Sequence, residues 1–314
     1  MLAGPDAKAA AAAVPAPSCG PDRRPAAGRI GFSFEIFPPR TAQGEAQMWG
    51  AIARMAALDP AYISVTYGAG GSTQTATRDI VARLQRETAV PAAAHLTCVG
   101  ADRASIDAIA RDYLAMGVRR IVALRGDPSN GPGTAYVPHP GGYAYAADLV
   151  AGLRRIADFD ISVGAYPEVH PEAADAAADL DALKRKLDAG AARAITQFFF
   201  DPAVFLNFRD RARAAGITQP IVPGILPIAN FAKVQEFAGK CRASIPAALA
   251  GRFAKVAGNA ADTRKLAAEV GCELIACLNR HGEGEFHIYT LNQAGLLVDI
   301  LTGLGQVPAT RAAG

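Results

Sequence analysis

ASIDAIARDYLAMGVRRIVALRGD, residues 104–127, holds one full turn of the rhythm on which the fold rests. Over Ala104–Met116, residues Ile106, Ile109, Tyr113 and Met116 recur at the spacing of a helix with one apolar face. Gly117 stands where a helix C-cap glycine belongs. Arg120–Arg125 then reads as a short, largely apolar strand, closed by Arg125, Gly126 and Asp127. Outward from this unit the pattern repeats. Strands are expected at Ile30–Phe37, Tyr62–Tyr67, Ala92–Cys98, Arg120–Arg125, Ile161–Tyr166, Arg193–Phe199, Pro220–Ile225 and Glu285–Leu291. The segment Asp175–Ala189 carries Leu180, Leu183 and Leu187 on one stripe and Lys184, Arg185 and Lys186 beside it, before Gly190.

Eight such units without a second composition regime point to an α/β fold, either a closed (β/α)8 TIM barrel or a doubly wound open sheet. The strand ends decide between them. Barrel enzymes draw their chemistry from the carboxyl ends of many strands, whereas an open sheet gathers it at one switch point. Here Glu35, Tyr67, His95 with Thr97, Arg125 with Asp127, Tyr166, Gln197, and Tyr289 with Asn292 close nearly every strand. The barrel is the expected fold, over residues 29–306. Phe231–Leu278 is longer than one barrel helix requires and breaks at Ile245–Pro246, so an extra helical segment is expected between the seventh and eighth strands. Residues 1–28 read as a disordered Ala/Pro-rich leader without the apolar run of a signal peptide, and residues 307–314 as a tail.

Composition removes several classes. The chain has 314 residues, 51% hydrophobic and 19% charged, enough for one domain of barrel size. A net charge of +3 provides no field for nucleic acid or an acidic membrane. No apolar run approaches the ~20 residues of a membrane span. Five cysteines, Cys19, Cys98, Cys241, Cys272 and Cys277, form no CxxC pair and no zinc spacing, which reads as reduced thiols in a cytoplasmic protein without a metal site.

Several segments could carry chemistry. Glu35 is an acid within the apolar strand Phe34–Phe37; desolvation there is expected to raise its pKa toward a general acid's, the alternative being a structural ion pair. Arg125, Gly126 and Asp127 offer opposite charges around a glycine that lets a ligand approach, or an ion pair ordering a loop. Gly68–Thr73 could present backbone N–H groups to an anion, or be a plain βα loop. In Tyr166–Glu172, His170 could join Asp179, Arg185 and Lys186 in holding a phosphate-bearing cofactor, although such charges are by default a solvated face. Gln197, among aromatic residues, suits the edge of a planar heterocycle; its phenylalanine neighbours read as core.

Taken in order, Phe34–Pro39, Ser64–Ala69, His95–Cys98, Leu124–Asp127, Ala165–Ala173, Thr196–Asp201, Pro223–Pro227 and Tyr289–Asn292 resemble the bacterial methylenetetrahydrofolate reductase family, from about Phe32 to Leu304. The resemblance implies a reductase in which FAD carries electrons from NADH or NADPH to 5,10-methylenetetrahydrofolate, forming 5-methyltetrahydrofolate for methionine synthesis. It implies Glu35 as the acid that opens the imidazolidine ring, and Asp127 as a second acid beside pterin and flavin. Positions matching FAD contacts are Tyr67, Ala69, His95, Arg125, Gly126, Asp127, Tyr145, Ala146, Tyr166, His170, Ala173, Asp179, Arg185 and Lys186. Thr66, Asp127, Gln197 and Phe237 match substrate contacts. Two positions depart from the pattern: Lys233 replaces a Gln of some members, and Gln293 replaces an Arg that often follows Thr-Leu-Asn. Loss of that cation touches the expected folate site, where Lys233 is a candidate to restore charge. A homo-oligomer is expected, and the regulatory domain of eukaryotic members is not. The remaining alternatives are another FAD-dependent barrel oxidoreductase and a non-catalytic folate- or flavin-binding subunit.

Overall fold

Alternation along the first strand, β1 (Gly31–Ile36), sends Phe32, Phe34 and Ile36 into the apolar core and leaves Ser33 and Glu35 on the other face. The computed structural model describes residues 29–68, 74–128 and 135–306; the leader, the tail and the Ala69–Thr73 part of the glycine-rich loop lie outside them. The chain continues through α1 (Ala42–Ala56), β2 (Ile63–Val65), α2 (Gln74–Glu87), β3 (Ala92–Thr97), α3 (Arg103–Ala115), β4 (Arg120–Leu124) and α4 (Ala146–Ile156). There follow β5 (Asp160–Ala165), α5 (Ala176–Asp188), β6 (Arg193–Thr196), α6 (Pro202–Ala214), β7 (Ile221–Val222) and β8 (Gly224–Ile225). The remaining elements are α7 (Phe231–Cys241), α8 (Ala247–Lys255), α9 (Ala260–Arg280), β9 (Glu285–Tyr289) and α10 (Gly295–Gly303).

All strand pairs are parallel, in the order β7-β6-β5-β4-β3-β2-β1-β9-β8. The expected seventh strand is thus two short pieces around Pro223. Proline has no N–H to donate to a ladder, so pairing stops there and changes partner, from β6 on one side to β9 on the other. The Pro223 carbonyl still accepts from the His287 N–H at 3.0 Å, and the circuit closes as a barrel through the chain itself. Gly224 is required at this seam: a Cβ there would sit 2.0 Å from the Thr196 carbonyl oxygen.

Strand starts agree with the sequence reading to within two residues, whereas several ends were read too long. Cys98, Arg125, Tyr166 and Phe199 continue the apolar alternation but have left the ladder for the loops. Between β8 and β9 lie three helices. The break before α8 was expected; a second, where Gly258 adopts φ +87° and Asn259 caps α9 with its side chain, was not. Cys98 and Cys241 are free thiols, but Cys277 is disulfide-bonded, which corrects the reading of five reduced cysteines. Among the described residues no helix is long and apolar enough to cross a membrane.

Candidate active site

The register brings the inward side chains of β1 and β9 together. Glu35 stands opposite Tyr289 and Ser33 opposite His287, across strands about 250 residues apart in sequence. The segment after β9 locks this register. Thr290 donates to the Glu35 carbonyl oxygen through its hydroxyl at 2.6 Å and its N–H at 3.2 Å. Asn292 accepts from the Phe37 N–H at 3.0 Å and donates to the Phe37 carbonyl at 2.8 Å. To do so Leu291 and Asn292 both adopt positive φ, 49° and 57°. That is an uncommon conformation for leucine, held by the clamp it serves.

A cavity of about 480 Å³ opens at the carboxyl end of the barrel, with Glu35 at its base. Thr66, Tyr67, His95, Tyr166, Gln197 and Phe237 line it, bringing six of the residues singled out in the sequence together with Glu35. The Glu35 side chain is only 20% exposed. One carboxylate oxygen lies 3.3 Å from His95 Nε2 and 3.4 Å from His287 Nε2. Burial alone would raise the pKa, as the sequence suggested. The two imidazoles outweigh it, His95 through its charge and His287 through a hydrogen bond and its charge, and pull the carboxyl from 4.5 down to about 2, which overturns that expectation. The charge contribution acts only while the imidazoles are protonated, so the carboxyl holds its proton more firmly as they become neutral.

Gln197 donates to Cys241 Sγ at 3.5 Å, and its carbonyl accepts from the Phe198 N–H at 3.0 Å. Asp127 is exposed at the rim, where its charge is felt by Tyr166 and Cys241. Gly126, at φ +86°, passes so close to β3 that a Cβ would lie 2.8 Å from Val99 and 2.9 Å from Thr97. Arg125 ties two loops together: its guanidinium pairs with Glu172 at 2.7 Å and lies 4.5 Å over the Tyr136 ring. Tyr136 in turn packs against Tyr145, which is exposed next to Ala146 at the start of α4.

The loop after β5 is a second ordered wall. His170 meets the Tyr166 ring edge-on at 4.5 Å, donates its N–H to Asp179 at 3.0 Å, and accepts from the Ala173 N–H at 2.9 Å. Val169 within it has φ +94°, a strained position for a β-branched residue. Lys186 donates to the Gly164 carbonyl at 2.6 Å, and burial lowers its pKa to about 8. Arg185 pairs with Asp181 on the exposed side of α5. Lys233 is exposed on the first turn of α7 and does not line the cavity; Lys240, two helical turns further along, does. Gln293 stands exposed between two further grooves of the rim. Ala69 lies outside the described residues. The sequence reading missed Lys240, Ser33 and His287. The last was within reach, since Glu285, His287 and Tyr289 share one face of a predicted strand.

Two buried polar atoms at the mouth, His95 Nε2 and Thr97 Oγ1, have no hydrogen-bond partner; His95 Nε2 is near Glu35 but out of line with it. Such atoms usually mark a place where a ligand completes the bonding. No group of His, Cys, Asp and Glu side chains among the described residues is arranged to hold a metal ion.

The family model described as methylenetetrahydrofolate reductase matches residues 22–305. The chain is 48% identical to the 5,10-methylenetetrahydrofolate reductases of Salmonella typhimurium and Escherichia coli, each over 90% of this chain and 93% of the relative. It is 37% identical to the Zea mays protein named methylenetetrahydrofolate reductase (NADH) 1, over 90% of this chain and 50% of that one. Among solved structures, a Clostridium thermocellum protein described as binding two copies of 5-methyl-5,6,7,8-tetrahydrofolic acid aligns with a TM-score of 0.56 at 14% identity, over 89% of this chain and 94% of that one. At that identity the likeness concerns the fold.

Proposed function

Since this chain belongs to the methylenetetrahydrofolate reductase family, we propose that it reduces 5,10-methylenetetrahydrofolate to 5-methyltetrahydrofolate with electrons from NADH or NADPH, using bound FAD. The observation that carries the reading is Glu35: an acid at the base of an aromatic-walled cavity, held by two imidazoles and by a clamp from β9. The donor set suits FAD. The unpartnered His95 and Thr97 atoms, the close backbone approach at Gly126 and the cation Arg125 lie on adjoining strand ends and loops, and a second cation, Lys186, is part-buried in the last turn of α5. Tyr67, Tyr145, Ala146, Tyr166, His170, Ala173, Asp179 and Arg185 would complete the holding surface, and Ala69 is assigned with them. When bound, FAD would supply the two-electron carrier between nicotinamide and folate.

The chain's own residues would perform the remaining work. Glu35 would protonate the nitrogen that leaves as the five-membered ring opens, making the one-carbon unit electrophilic. Gln197 and Thr66 would read the edges of the heterocycle, and Asp127 would hold the pterin near the rim. Phe237 would cover the ring and exclude water. Lys240, with Lys233 on the same face of α7, would supply positive charge for the substrate's carboxylates in place of the cation absent at Gln293. The product methyl group would serve methionine synthesis in the cytoplasm, by a homo-oligomeric enzyme.

The test is anaerobic. Purified yellow protein should bleach with NADH or NADPH and regain colour with 5,10-methylenetetrahydrofolate. Glu35→Gln should bleach normally and fail to regain colour. A colourless protein that takes up no FAD would overturn the cofactor assignment, and loss of both half-reactions in Glu35→Gln would make that residue structural.

A further inference from the structure

The inside of a (β/α)8 barrel is ordinarily packed with branched apolar side chains. In this barrel one sector is polar from top to bottom. Below Glu35, His287 is fully buried and Ser33, Tyr62 and Ser162 are at most 5% exposed. His287 links the levels, with Nε2 at 3.4 Å from the Glu35 carboxylate and Nδ1 at 2.7 Å from Ser33 Oγ. The Tyr62 ring stacks on the His287 ring at 6.0 Å, and burial pushes the Tyr62 phenol up against a smaller downward pull from the buried Ser33 and Ser162 hydroxyls. At the amino-terminal end of the strands Arg120 lies 5.1 Å over the Tyr62 ring and pairs with Asp160 at 2.6 Å, as does Arg193 at 3.0 Å. These charged side chains are 22–31% exposed, so the floor meets solvent.

We infer that this column is a proton path from the floor of the barrel, which recharges Glu35 while substrate covers the mouth. The inference rests on the acid role given to Glu35 above. Reduction of the methylene group by a hydride donor takes up one proton per turnover. That proton leaves the Glu35 carboxyl when an N–H bond forms on the departing ring nitrogen. The cavity is then filled from above, and the carboxylate faces only protein. In the column, His287 Nε2 gives its proton to the carboxylate as Nδ1 takes one from Ser33. Ser33 is resupplied by Tyr62, and Tyr62 by Ser162 and water at the floor. Each hydroxyl loses one proton and gains one, while His287 passes from its Nε2–H to its Nδ1–H tautomer; one proton has moved from floor to mouth, and the ring and hydroxyls reorient before the next turnover. Burial keeps the Tyr62 phenol protonated, and therefore able to donate. A hydrophobic plug would stabilise a barrel at least as well as this set of buried hydroxyls, each of which costs desolvation. Ser33, Tyr62 and Ser162 are positioning residues under this assignment, because they act through His287.

The experiment compares Tyr62→Phe, which keeps the ring and removes the hydroxyl, with Ser33→Ala and its conservative counterpart Ser33→Thr. Tyr62→Phe and Ser33→Ala should slow the folate half-reaction roughly 10- to 100-fold and change its solvent isotope effect. A pH-indicator dye should show delayed proton uptake in a single turnover, with reduction by the nicotinamide unaltered. Ser33→Thr should restore the rate. In the protein without substrate, the 15N NMR signals of the His287 ring should shift in Tyr62→Phe and Ser33→Ala. Wild-type proton uptake and isotope effect in Tyr62→Phe, with Glu35→Gln still inactive toward folate, would overturn the path and leave the acid role intact. If Glu35→Gln itself turned over folate, the acid reading would fail first. Should Tyr62→Phe not fold, Ser162→Ala carries the same test, with normal uptake again overturning the path.

Discussion

The two ends of the barrel are built on opposite terms. At the floor, Arg120 and Arg193 share Asp160, and the Tyr62 ring lies beneath Arg120. At the mouth, backbone sits in strained conformations at Val169, Leu291 and Asn292, and buried His95 and Thr97 atoms lack partners. The contrast follows from the geometry of parallel barrels. All strands deliver their carboxyl ends, and the loops that follow, to one face, so strain and unfilled bonding accumulate where a ligand can use them.

Glu35→Gln should produce the largest effect at the mouth: a loss of at least 100-fold or so in the folate half-reaction, with reduction by the nicotinamide unaltered in stopped-flow measurements. The reciprocal substitution, Asp160→Ala, leaves Arg120 and Arg193 facing each other unpaired. With all three side chains partly solvated, a destabilisation of about 1–3 kcal/mol is expected in urea unfolding, with cofactor affinity preserved. Gly126→Ala tests the mouth's dependence on close approach. Its Cβ would enter the space of Val99 and Thr97 at a positive φ, and a cost of about 1–3 kcal/mol with weaker FAD binding, read by fluorescence titration, is expected.

Acid sensitivity gives a fourth comparison. The Glu35 pKa is lower in the folded chain, about 2 against 4.5, so its contribution to stability is present above about 4.5 and is lost as pH falls toward 2. The urea midpoint of the natural chain should therefore fall more steeply over this interval than that of Glu35→Gln; parallel curves would mean that the imidazoles do not hold the carboxylate. The smallest effect is expected at the rim, where Lys240→Ala should raise the folate KM by roughly 3- to 10-fold with kcat unchanged, the loss expected for an exposed ion contact.

How much of this was legible in the sequence depends on the range of the interaction. Strands such as Ala92–Thr97 and helices such as Arg103–Ala115 follow from apolar spacing over a dozen residues, and helix ends from single residues such as Gly117. The carboxyl ends of strands were read too long because alternation persists for a residue or two after the hydrogen-bonded partner has gone. The division at Val256–Asn259 was missed because Gly258 interrupts a pattern that is apolar on both sides. Glu35 stood out locally as an acid among Phe34, Ile36 and Phe37. His287 was legible only as a face-mate of Tyr289 on a predicted strand; its tie to Ser33 and Glu35 exists only through the β1–β9 register.

The amino-acid pattern alone therefore determined the repeating unit, its number, the end of the barrel where polar residues gather, and the acid at that end, since all of these rest on short-range periodicity and composition. Tertiary structure decided the protonation of that acid and the route open to its proton. Desolvation, readable from a buried strand, pushes a carboxyl one way; two imidazoles converging from β3 and β9 push it harder the other way, and Coulombic and hydrogen-bond energies depend on distances of 3.3 and 3.4 Å that no local pattern encodes.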